Sequence, residues 1–90
     1  MNEPVRIEID LYNSSSSPKR IWFEPWAEEL MLPPSIGWRL VCASEEMLPI
    51  TVDFNEDLVT IWGIRRSTLM VFEGDRKIWE SYAPFDPPNG

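Results

Sequence analysis

From Val5 to Tyr12 the chain alternates without a break, with Val5, Ile7, Ile9 and Leu11 on one side and Arg6, Glu8 and Asp10 on the other. An extended chain points successive side chains to opposite faces, whereas a helix returns its apolar residues every three or four positions. The octet therefore forms a strand with one buried face. That face needs a cover, and the rest of the chain has to supply it.

Seven further short runs follow, over 20–24, 28–32, 39–43, 50–55, 58–62, 69–73 and 77–82. Their spacing suits a sandwich or barrel. Between them stand Pro33-Pro34-Ser35, Asn55-Glu56-Asp57 and Gly74-Asp75. Gly, Asn and Asp tolerate the positive φ of tight turns, so 50–55 with 58–62 and 69–73 with 77–82 are expected hairpins. Helix has little room. Pro25 and Glu28-Glu29 would suit a short helix over 25–31, but Pro33 and Pro34 stop it within about two turns, and strand is preferred there. The expectation is an all-β fold, a mostly antiparallel β-sandwich or small jelly roll of about seven or eight short strands. Residues 1–83 form a single domain, and 84–90, with Pro84, Pro87 and Pro88, a flexible tail.

A chain of 90 residues has material for one core and buries only roughly 60–70% of the surface its unfolded form exposes. Its five Trp, four Phe and two Tyr compensate, since each large ring buries on the order of 150–250 Å². Fifteen acidic against eight basic residues give a net charge of −7, and the basic residues are scattered. A phosphate backbone needs clustered positive charge, so nucleic acid is not an expected partner. The single Cys42 excludes an internal disulfide. With no signal-like N-terminus and no apolar run of about 20 residues, a cytoplasmic location is expected and a membrane is not.

Histidine is absent from the chain, which removes His-dependent nucleophile systems, HExxH zinc sites and imidazole general bases. Cys42 shares the apolar parity of Trp38 and Leu40, where a thiol behaves as a small hydrophobe. Glu24, Glu28 and Glu29 cluster near Trp22 and Trp26, yet a sugar groove with two spaced carboxylates asks for a larger scaffold, and solvated glutamates are ordinary. Asp53, Asn55, Glu56 and Asp57 fall short of the six to eight oxygens calcium takes, so a hairpin turn is the reading there. The triplet Asn13-Ser14-Ser15 matches a glycosylation acceptor, but such triplets arise by chance. No cofactor, metal or catalytic residue is assigned.

Tryptophan is the remaining signal. Ile21 and Phe23 face the core, which turns Trp22 outward beside Arg20 and Glu24, while Trp38 belongs to the interior. The sides taken by Trp62 and Trp79 stay open, and Trp26 sits in the turn after Pro25. Leu69, Met70, Val71 and Phe72 are apolar on both faces, as in a central strand covered by a second sheet and a partner subunit. Two functional expectations follow. The first is a non-enzymatic domain acting through a protein partner or as a homodimer. The second is a carbohydrate- or small-ligand-binding module with Trp22, Trp26, Trp62, Glu24 and Glu28 around an exposed platform.

The stretch Ile21-Trp22-Phe23-Glu24-Pro25-Trp26-Ala27-Glu28-Glu29-Leu30, with Leu32-Pro33-Pro34 and Val59-Thr60-Ile61-Trp62-Gly63, resembles small bacterial all-β proteins of about this length. They carry no assigned activity to transfer. The Leu-Pro-Pro turn also looks like part of a cupin-type jelly roll, but the histidine ligands of metal cupins have no counterpart here, so the resemblance implies the fold without the metal chemistry.

Overall fold

The computed structural model describes residues 5–44, 50–63 and 67–81. Its eight strands are β1 (Val5–Tyr12), β2 (Lys19–Glu24), β3 (Glu28–Leu32), β4 (Gly37–Ser44), β5 (Thr51–Phe54), β6 (Leu58–Trp62), β7 (Ser67–Glu73) and β8 (Arg76–Glu80). They form two four-stranded sheets, ordered β1-β4-β7-β8 and β3-β2-β6-β5. The expected all-β sandwich is present, and both expected hairpins, β5–β6 and β7–β8, pair antiparallel. Residues 28–32 are strand, entered through a turn at 25–27 in which Ala27 takes a φ of 57°. The tail at 84–90 lies outside the described residues.

One pairing departs from a wholly antiparallel plan. β2 and β6 run parallel at the centre of the second sheet, with Arg20 opposite Leu58 and Glu24 opposite Trp62. Parallel neighbours cannot be joined by a hairpin, and here the chain between them passes through β3, β4 and β5. Three of the four strands of the second sheet are short, at four or five residues, and their register is set by the buried parity of Ile21, Phe23 and Ile61.

The core lies between the sheets. Trp38, Leu40 and Cys42 of β4 and Leu69 and Val71 of β7 face Ile21 and Phe23 of β2, Leu32 of β3 and Ile61 of β6, all buried. Trp38 is interior as expected, and its indole Nε1 donates to Glu73 Oε1 at 3.1 Å, which satisfies the polar edge of a buried ring. Cys42, the single cysteine of the chain, is buried in this core. β7 is central and apolar on both faces, with Met70 and Phe72 half-buried on the outer side, where the Arg39 guanidinium lies 4.9 Å from the Phe72 ring centre. A register shift between Val71 and Phe72 inserts Ile78 as an extra residue in β8 and turns Trp79 inward, where its ring stacks on Phe23 at 4.6 Å.

Candidate functional site

The outer face of the second sheet gathers three of the five residues the sequence nominates. In β2, Arg20, Trp22 and Glu24 point away from the core, because Ile21 and Phe23 point into it. Parallel pairing places Thr60 opposite Trp22 and Trp62 opposite Glu24, while β3 sets Glu29 opposite Trp22 and Met31 opposite Arg20. At the edge, Thr51 and Asp53 of β5 face Trp62 and Thr60. Trp22 and Trp62 are thus diagonal neighbours on adjacent strands, within reach of one another as aromatic side chains.

Trp62 is 45% exposed and Trp22 half-buried. Neither ring stacks on another among the described residues. Around them the face is polar. Arg20 Nε contacts Glu29 Oε1 at 2.8 Å, an exposed ion pair worth about 0–1 kcal/mol. Its value is positional, since it ties β2 to β3 beside Trp22. Glu24, Asp53, Thr51 and Thr60 supply further hydrogen-bonding groups on the same surface.

Trp26 and Glu28 do not join this face. The Trp26 ring turns inward and meets Trp79 edge-on, with centroids 6.0 Å apart at 71°. It also rests against Gly63, where an added Cβ would overlap the ring at Cη2 and come within 2.7 Å of Cζ3. Gly63 N donates to Glu24 O at 2.8 Å and holds the two segments together. Alternation says nothing about a turn residue, so the position of Trp26 is set by the space that Gly63 leaves. Glu28 pairs with Phe23, at the opposite parity to Trp22.

Sequence reasoning missed a second feature, a cleft of about 270 Å³ at the end of the sandwich where β1, β3 and β5 finish and β2 and β6 begin. Leu11, Ile21, Leu32 and Val59 form its apolar lining. Tyr12 and Phe54, 66% and 73% exposed, line it as well, together with Lys19. A signal for Lys19 existed, since it shares the parity of Ile21 and Phe23 and so lies on the apolar side of its strand.

Asn13 builds the rim of that cleft. It is only 2% exposed, and its side-chain amide donates to Ser17 O at 2.8 Å and Leu32 O at 3.0 Å. Its Oδ1 accepts from Ser15 N at 3.0 Å and Ser15 Oγ at 2.6 Å. The backbone of Asn13 also pairs with Ile36 O and Ser35 N of the β3–β4 turn. Both amide hydrogens are committed to carbonyls, so the glycosylation triplet is a loop clamp in this fold.

Fold and face together define a two-sheet β-sandwich domain with an aromatic-bearing outer surface. No family model, curated protein or solved structure matches the chain. Its function has to be read from its own chemistry.

Proposed function

We propose that this chain is a non-enzymatic binding domain of the cytoplasm, and that the outer face of the second sheet is its contact surface. The observation that carries the reading is the pair Trp22 and Trp62 on adjacent strands, unstacked by other rings and bordered by Glu24, Thr60, Thr51 and Asp53. Rigid rings offer stacking area to a partner, while the bordering carboxylates and hydroxyls fix its orientation.

The size of the face supports one of the two expected occupants over the other. Four strands about 4.8 Å apart and about five residues long at 3.3 Å per residue make a face of roughly 320 Å². A stable protein interface buries about 800 Å² on each partner. A footprint of that size supports a flat ligand that stacks on two rings, for which a carbohydrate has the matching chemistry: apolar C–H faces and a rim of hydroxyls; a homodimer would have to recruit further surface. Glycan-panel titration followed by Trp fluorescence tests this. A positive glycan should lose roughly three- to tenfold in affinity on Trp62→Ala, the range expected for one aromatic contact. A flat response across the panel would remove the carbohydrate reading, and light scattering that gives a dimer persisting on dilution would restore the homodimer.

A further inference from the structure

We propose that the cleft at the end of the sandwich is a second binding site, and that it takes a small amphipathic anion: a carboxylate with an apolar tail, its charge met by Lys19. This site is independent of the tryptophan face, which lies on the outer side of the second sheet. Three observations converge on it.

Exposure is the first. Phe54 and Tyr12 are the two most exposed large hydrophobic residues described, and both line the same cleft. Single exposed apolar residues need no explanation, but two beside a cleft with an apolar floor and a polar rim form a concave surface suited to an amphipathic ligand. Leu11, Ile21, Leu32 and Val59 continue that surface inward. A volume of about 270 Å³ corresponds to roughly nine waters at about 30 Å³ each, which is room for a ligand of about ten heavy atoms.

Charge is the second. The chain carries 15 carboxylates and a net charge of −7, yet no Asp or Glu stands among the residues lining the cleft. Lys19 does, and it has no ion-pair partner among the described residues, whereas Arg20, Arg39, Arg76 and Lys77 each contact a carboxylate; Arg6 is likewise unpaired there but is exposed on β1 and does not line the cleft. A lysine whose side chain is half-buried beside apolar surface favours an anion that brings its own apolar tail.

Third, the rim is already built. Asn13 spends its full hydrogen-bonding capacity on Ser15, Ser17 and Leu32, so the loop is ordered by the fold and its amide is not offered to a ligand. With that amide committed, Lys19 is the one charged group among the described residues lining the cleft, beside the hydroxyls of Tyr12 and Ser14 and the Asn55 side chain, which supports a ligand held by apolar contact and one charge.

Amide NMR on the full chain, titrated with sodium octanoate and, separately, with 1-octanol, tests the proposal. Octanoate should shift resonances around 11–15, 19–21, 32 and 54–59, and bind roughly two- to fivefold more tightly than octanol, the value of one solvent-screened charge contact near a surface. Lys19→Gln should erase that preference and leave octanol binding in place. Val59→Trp, which fills the cleft, should remove both. If Lys19 only lays its stem over Leu32, the two ligands will bind alike and Lys19→Gln will change nothing, which overturns the anion class. Absence of localised shifts with either ligand overturns the site. Should Val59→Trp lose its native spectrum, the octanoate-to-octanol ratio in the parent and in Lys19→Gln still decides.

Discussion

Replacement of Asn13 is the sharpest test of how this fold holds its loops. The side chain is buried and makes four hydrogen bonds, to Ser17 O, Leu32 O, Ser15 N and Ser15 Oγ. Asn13→Ala frees all four groups, but not equally. Ser15 and Ser17 can turn to water, at about 0.5 kcal/mol each, whereas the Leu32 carbonyl belongs to a buried bond and loses about 1–3 kcal/mol when orphaned. The sum is about 2–4 kcal/mol, a large fraction of the stability of so small a domain. Asn13→Asp separates hydrogen bonding from volume. One carboxylate oxygen keeps the Ser15 donors, while the other faces two carbonyl oxygens where the amide had donated. The folded state therefore resists ionisation, and the introduced carboxyl has a folded pKa above its unfolded value of about 3.9. A group raised in this way contributes its stability below the unfolded pKa and loses it as pH rises through the folded pKa. The gap between Asn13→Asp and the parent should be narrowest near pH 4 and below and widest at pH 7, where it should exceed that of Asn13→Ala. Urea unfolding followed by Trp fluorescence at several pH values reads both quantities. A loss below about 0.5 kcal/mol for Asn13→Ala, within the range of an ordinary surface change, or a pH-independent gap for Asn13→Asp, would refute the clamp.

Gly63→Ala should destabilise by about 1–3 kcal/mol by pushing the Trp26 ring off Trp79, with a shift in Trp fluorescence to match. An unchanged unfolding midpoint and spectrum would mean that the ring moves freely. Ala27 holds a φ of 57°, so Ala27→Gly should stabilise by about 0.5–1 kcal/mol in the same denaturation assay. The Ser67 hydroxyl is buried without a hydrogen-bond partner among the described residues, and Ser67→Ala should be neutral or stabilising by up to about 1 kcal/mol; a clear loss would mean that the hydroxyl has a partner in solution.

The features legible in the sequence are those that local alternation controls. β1 spans the residues its alternation marks, β3 and β6 span the short runs read at 28–32 and 58–62, and Trp22 turns outward because Ile21 and Phe23 turn in. Where alternation lapses, so does legibility. Trp26 lies in a turn and takes its place from Gly63, a residue close to it only in space. The side of Trp79 depends on the extra residue at Ile78, since a bulge changes which residues share a face. The cleft is assembled from the ends of five strands and two of the loops that join them, and no local pattern brings Tyr12 to Phe54.

The parallel pairing of β2 with β6 bears most directly on function. Had β6 met β2 antiparallel, in the other direction, the residue beside Glu24 would come from the opposite end of β6, and Trp62 would lie beside the start of β2. Parallel register instead sets Trp62 opposite Glu24, one diagonal step from Trp22. The same topology brings the starts of β2 and β6 together at one end of the sandwich, with Lys19 and Val59 both lining the cleft. One long-range pairing therefore positions both surfaces, the two rings on the outer face and the cation at the cleft. A change that weakens it, such as loss of the buried contact between Phe23 and Ile61, should disturb both together, whereas substitutions at Trp62 or Lys19 should act on one alone.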